Sequence, residues 1–215
     1  MSLIGKISLN NSRYIFFKTL TLIFLSCFFY FTDKKLVEAY SSDPKNFVSE
    51  VIQEAITVLN DNNLSLETKN SKIETIALNT VDIKALGLYS LGEARKSLSP
   101  EKISQYQELF QKYFIKSLNS RLVDYSKQKI DVVGYEILNE DYTMVNTKIL
   151  GSGSNPEIKV DWRVYTKNID SPLIRDLIIE GLSLARTQRE EFSSILASND
   201  NKIDSLFSKL EEFIK

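Results

Sequence analysis

Ile130-Asp131-Val132-Val133-Gly134-Tyr135-Glu136-Ile137-Leu138 is followed, after three residues, by Tyr142-Thr143-Met144-Val145-Asn146-Thr147-Lys148-Ile149-Leu150. In this stretch the apolar spacing is two, the period of a strand with one buried face. Immediately upstream, Ile103, Tyr106, Phe110, Tyr113, Phe114, Leu118, Leu122 and Tyr125 step by three or four, the period of an amphipathic helix. The change of period after Ser126 decides the fold class. Two further strands are predicted at Ile158 to Thr166 and Leu173 to Ile179, with connections short enough to make all neighbours antiparallel. Alternation places Val133, Tyr135 and Ile137, then Val145 and Ile149, then Val160, Trp162 and Val164, then Leu177 and Ile179 on one face.

On the N-terminal side, Asp43-Pro44 opens a helix with an acidic cap and a proline in the first turn. Phe47, Val48, Val51, Ile52, Ala55, Ile56 and Leu59 continue it at helical spacing to Asn60–Asn63. Leu66 to Asn79 reads as a second, more polar helix, and Val81 to Leu98 as one or two short helices interrupted near Gly87 and Gly92. Ser99-Pro100 caps the long helix described above. On the C-terminal side, Gly181 turns the chain into a helix from about Ser183 to Ala197, and a last helix runs from Lys202 to Phe213. Helices, then sheet, then helices predict an α+β fold: a four-stranded antiparallel meander with helices packed on one face.

Composition removes most familiar chemistry. The 215 residues include no histidine and one cysteine, Cys27, which excludes His-based triads, His or Cys zinc sites and structural disulfides. Seven glycines, of which only Gly151 and Gly153 are close together, supply no phosphate-cradling loop. A net charge of −1 argues against an electrostatic nucleic-acid binder. Ser99-Pro100-Glu101-Lys102 spells the Ser-x-x-Lys of penicillin-binding enzymes, but the companion Ser-Asp-Asn and Lys-Thr-Gly motifs are absent and Ser99 reads as a helix cap. The chain is expected not to be an enzyme and to hold no metal or cofactor.

Residues 1–39 read as a secretory signal. Lys6, Arg13 and Lys18 precede Thr19 to Phe31, thirteen residues without a charge, and Val37-Glu38-Ala39 supplies a cleavage site. Thirteen helical residues span about 20 Å, short of the roughly 30 Å of a bilayer's hydrocarbon, so cleavage is favoured over a permanent anchor. Lipidation at Cys27 is the minor alternative, and Phe24-Leu25-Ser26-Cys27 fits that processing box poorly. Residues 40–215 then form a single domain of 176 residues. The leader removes five basic and two acidic side chains, which takes the net charge from −1 to −4.

Nearly all of the chain after residue 39 resembles the MlaC, or toluene-tolerance, family of periplasmic phospholipid-binding proteins, most strongly in its C-terminal part. The likeness is carried by Val160-Asp161-Trp162-Arg163-Val164, by Asp176-Leu177-Ile178-Ile179-Glu180-Gly181-Leu182-Ser183-Leu184, and by Arg186, Gln188-Arg189 and Phe192. A weaker likeness lies in Val81-Asp82-Ile83, Leu91-Gly92 and Ser99-Pro100-Glu101 with the helix that follows. The chain departs from the family pattern at Ala94 and Arg95, where an aromatic pair is usual, and at Ser171-Pro172-Leu173, where a Trp-Lys start to the fourth strand is usual.

The resemblance implies a monomeric periplasmic carrier that encloses phospholipid as cargo in an apolar pocket between sheet and helices. It also implies partners: an inner-membrane ABC transporter with a lipid-binding ring and an outer-membrane lipoprotein complex. Two acyl chains hold roughly 30 methylenes, whose exposure to water costs on the order of 20 kcal/mol, so such cargo needs a dry container. The walls expected on this basis are Tyr106, Phe110, Tyr135, Val145, Trp162, Val164, Leu177 and Ile179. Arg186 and Arg189 are either headgroup contacts, because guanidinium groups suit phosphate, or partners of Glu180. Glu180-Gly181 with Ser183 reads as a permissive turn and a helix cap more readily than as chemistry. A hopanoid or other polycyclic-lipid carrier, and a secreted adaptor with a solid core that binds only protein, remain the alternatives.

Overall fold

The computed structural model describes residues 39–122, 128–151, 156–168 and 170–215. The apolar run at 19–31 with Cys27, as well as Tyr125, Ser126 and Gly153, lies outside the described residues. Six helices are present among them: α1 Pro44–Asn60, α2 Leu66–Thr80, α3 Ile83–Leu91, α4 Pro100–Leu122, α5 Leu184–Ala197 and α6 Ile203–Ile214. A 3₁₀ turn, Gly92–Ser97, joins α3 to α4. None of the described helices is long and apolar enough to cross a membrane.

Helix starts follow their caps. The Asp43 carboxylate accepts from the Asn46 amide at 2.8 Å, Ser65 from Thr68 at 3.2 Å, Asp82 from Ala85 at 3.0 Å and Ser183 from Arg186 at 3.1 Å. Each satisfies one of the donors a helix leaves orphaned at its first turn. Ser99 Oγ accepts from the Lys102 amide at 3.4 Å, while Lys102 Nζ reaches Asp204 at 2.7 Å, so the Ser-x-x-Lys letters spell a cap and a surface ion pair. The interruption expected near Gly87 does not occur. The helix continues because Gly87 is the point where α3 closes against the Phe110 ring, and it ends at Gly92, whose φ of +60° suits glycine.

The strands are β1 Ile130–Asn139, β2 Tyr142–Ile149, β3 Ile158–Tyr165, β4 Leu173–Ile179 and β5 Leu182–Ser183. They pair in sequence order, each antiparallel to the next. The fifth strand was not expected. Glu180 and Gly181 both take positive φ, +49° and +80°, the two-residue turn that matches strand twist, and it folds Leu182–Ser183 back onto β4 before α5 begins.

Two apolar clusters hold the described domain together. In the first, Tyr106, Phe110 and Ile115 of α4 pack with Ile83, Leu91, Phe192, Leu196, Leu206, Phe207 and Leu210. In the second, Phe47, Val48, Val51 and Ile52 of α1 and Ile73 and Ile76 of α2 cover Val145, Val164 and Ile174 of the sheet. Val81 and Leu118 pack against both clusters and mark their seam. The start of α3 is tied to β4: Val81 bridges Ile174, and the Asp82 amide donates to the Ile174 carbonyl at 3.0 Å.

Candidate functional site

Strand register sorts the helix-covered face of the sheet into rows. One row reads Ile137, Thr143, Val164, Ile174; the next Tyr135, Val145, Trp162, Leu177; the third Val132, Thr147, Val160, Ile179, Leu182; the last Ile130, Ile149, Ile158. The centre is dry, with Val145, Val164 and Thr147 at 0% exposure. The flanks are apolar but uncovered: Ile137 is 68% exposed, Tyr135 55% and Leu182 53%. Trp162, Leu177 and Ile179 are half-buried between these extremes. The Trp162 indole N–H donates to Thr147 Oγ1 at 3.0 Å, and that hydroxyl donates to the Val160 carbonyl at 2.8 Å. The polar end of the indole is thereby satisfied inside the sheet and its rings are left as apolar surface.

One expected member of this face is displaced. A register shift between Val132 and Gly134 makes Val133 the extra residue of a bulge, 53% exposed, and Val132 with Ile130 takes the inward positions. A bulge reverses the facing of all residues before it, which alternation alone does not reveal.

Tyr106 and Phe110 do not join the sheet residues. Both belong to the helical cluster, where Tyr106 stacks on Phe207 with centroids 6.5 Å apart and meets Phe192 edge-on. Its hydroxyl donates to the Gly87 carbonyl at 3.0 Å, and burial pushes its phenol far above the usual range. The α4 stripe therefore finds its apolar partner in α3, α5 and α6, while α1 and α2 cover the sheet centre; Leu118 is the α4 residue that reaches the sheet cluster. Sequence reading named the α1 stripe but assigned it no partner, and missed Thr147, whose polarity hides its fully buried place beside Trp162.

A family model for the MlaC protein matches residues 49–212, from the first turns of α1 to the end of α6. The chain belongs to the MlaC family. Its fold is also similar to the solved structure of a phospholipid-binding protein from Ralstonia solanacearum in complex with a phospholipid. That comparison gives a TM-score of 0.66 at 17% identity over 81% of this chain and 97% of the other.

In this MlaC-family chain the Glu180–Phe192 segment is a structural knot. Asp176 accepts from Ser183 Oγ at 2.6 Å and from the Ala185 amide at 3.0 Å, fastening the start of α5 to β4. Glu180 accepts from the Lys159 amide, so it prolongs the β3–β4 ladder and pairs with neither Arg186 nor Arg189. Arg189 lies over the Tyr89 ring at 5.2 Å and against Gly92, bracing α5 on α3. Arg186 is exposed on the first turn of α5.

A separate groove of about 560 Å³ opens between α4, α5 and α6. Its floor is Phe192, Leu206 and Leu210, and Arg121, Glu191, Lys209 and Glu212 stand around it. Tyr113 closes one side, its ring 4.9 Å from that of Phe213 and its hydroxyl on Gln188 at 2.9 Å. The volume is in the small-ligand range, but the walls mix charge of both signs with apolar surface, unlike the sheet rows, which hold no charged residue.

Proposed function

We propose that this protein is an exported phospholipid carrier, with residues 1–39 as its removable secretory leader and the periplasm as its compartment. The reading is supported chiefly by the sheet face, dry at Val145 and Val164, half-buried at Trp162 and Leu177, and apolar yet uncovered at Tyr135, Ile137 and Leu182, in a chain of the MlaC family. A soluble protein that leaves contiguous apolar side chains uncovered is equipped to bind something apolar. Acyl chains laid on this face, between β1 and the β4–β5 hairpin, would extend the covered centre outward. Tyr135, Trp162, Leu177 and Ile179 are the walls of the site, and Val145 and Val164, covered by α1 and α2, are the packed centre beside it. Tyr106 and Phe110 hold the helical bundle that carries the far side.

Binding of this kind needs no bond-making residue; the work is the exclusion of water from roughly 30 methylenes. The carrier would take lipid from an outer-membrane lipoprotein complex or deliver it there, and exchange it with an inner-membrane ABC transporter bearing a lipid-binding ring. It acts as a monomer and without catalysis. Any net direction is set by the ATP-driven partner. The test is native mass spectrometry with lipid identification on protein produced without detergent. One phospholipid per chain is expected, and protein free of lipid at every stoichiometry would overturn the reading.

A further inference from the structure

We infer that Asn119 is a positioning residue for the ester region of the bound lipid, an inference that rests on the carrier reading above. Its side-chain Oδ1 is buried and has no hydrogen-bond partner, the one such side-chain atom among the described residues. Several other buried polar groups are answered within the chain: Thr80 by the Ile76 carbonyl, Ser90 by that of Leu86, Thr147 by that of Val160. Asp161 and Asp176 likewise accept from Asn146 and from Ser183 with Ala185. An unanswered buried amide oxygen amid this economy points to a partner that is not protein.

The place of Asn119 identifies that partner. On α4 it stands four residues after Ile115 and next to Leu118, so the three share one side of the helix. Ile115 belongs to the helical cluster and Leu118 touches both clusters, which puts this side of α4 at the seam beside the sheet face. Acyl tails on that face bring only two kinds of polar atom to such depth, the ester carbonyl and the ester bridging oxygen, both acceptors. A half-turn of the terminal Asn119 torsion presents Nδ2, a donor, where Oδ1 stands. The amide then holds the first carbonyl of the lipid at a fixed depth and sets how far the tails enter.

The experiment loads the full mature domain from vesicles containing equal amounts of diester phosphatidylethanolamine and its diether analogue with the same headgroup and chain length. Native mass spectrometry reads the bound ratio. The wild type is expected to favour the diester about fivefold, the worth of one ordinary hydrogen bond. Asn119→Leu keeps the side-chain size and the helix, and should bring the ratio to one while total lipid per protein is held; Asn119→Ala serves as a second variant should the first fold poorly. Equal binding of both lipids by the wild type, or a preference unchanged in both variants, overturns the assignment and leaves the carrier reading standing. A wild type that takes up neither lipid overturns both.

Discussion

Cδ1 of Phe110 lies 2.9 Å from the position a β-carbon on Gly87 would occupy, closer than two carbons tolerate, in the middle of a regular helix. Helix α3 thus approaches α4 at the one residue that has no side chain to obstruct it. The same contact carries the Tyr106 hydroxyl to the Gly87 carbonyl, so ring and hydroxyl together lock the two helices.

In an unpacked helix Gly→Ala is favourable by roughly 0.5–1 kcal/mol. Gly87→Ala is expected to invert that sign and destabilise by about 1–3 kcal/mol, because the Phe110 ring is buried and must move against Tyr106, Phe114 and Phe192. Urea midpoints check it. Adding Phe110→Leu to Gly87→Ala should restore part of the loss, a coupling that distinguishes overpacking from a change in helix propensity.

Asp82 serves three masters: it caps α3 through Ala85, and its Oδ2 accepts from Arg175 Nε at 2.9 Å and Nη2 at 2.7 Å. Arg175 is the extra residue at the β3–β4 register shift, and its guanidinium stacks over Tyr165 at 3.5 Å while Nη1 donates to Tyr142 at 2.8 Å. Asp82→Ala is expected to cost about 2 kcal/mol, the cap plus a half-buried fork. Arg175→Lys should cost nearly as much as Arg175→Ala, since a lysine cannot both fork and stack. A double-mutant cycle on thermal or urea unfolding measures the pair; additivity between Asp82→Ala and Arg175→Ala would show that they act separately.

The four long strands were legible nearly to the residue, because a sheet with one covered face writes its period into Val145 and Ile149. The bulge was not: Val132-Val133 offers two equivalent valines, and only pairing with Thr147 and Asn146 tells which points inward. Helix faces were legible and their partners were not. An amphipathic stripe such as Ile103 to Leu118 says that something apolar must cover it, and α3, α5, α6 or the sheet would each satisfy that demand. The choice is made by connections the stripe does not encode, chiefly the bridge from Val81 to Ile174 that draws α3 to β4. The place of Arg189 was hidden for a related reason: a guanidinium suits an aromatic face as well as a phosphate, and Tyr89, over whose ring it lies, is a hundred positions upstream in chain order.

Alkaline pH should destabilise the helical bundle. Burial raises the Tyr106 phenol, and burial with the neighbouring Glu191 raises that of Tyr113. A phenol with a folded pKa above its unfolded value of about 10 keeps its proton longer in the native state. The native state then binds more protons, and the contribution of these phenols to stability, flat below about pH 10, is lost as pH rises beyond it. Tyr106→Phe is expected to lose about 1 kcal/mol at pH 7, where the Gly87 hydrogen bond is given up, and to show a shallower decline between pH 10 and 11.5 than the wild type. Unfolding midpoints across that range decide; parallel declines would place the sensitive group elsewhere.

The sheet rows and the α4–α5–α6 groove make opposite predictions about where cargo lies. Leu177 is half-buried in the row that runs from Tyr135 through Val145 and Trp162, so Leu177→Asp sets a carboxylate among the proposed acyl contacts without opening the dry centre. Because a buried methylene is worth about 0.8 kcal/mol, a charge that keeps even two or three methylenes hydrated should cut phospholipid retention tenfold or more. Phe213→Asp places the same charge in the groove, and Leu66→Asp places it on the exposed face of α2, 65% exposed at that residue. Both should retain lipid as the wild type does, with all three variants folded by circular dichroism. If Phe213→Asp empties the protein and Leu177→Asp does not, the cargo lies between the helices, and the exposed sheet flank must then be explained as a surface for protein.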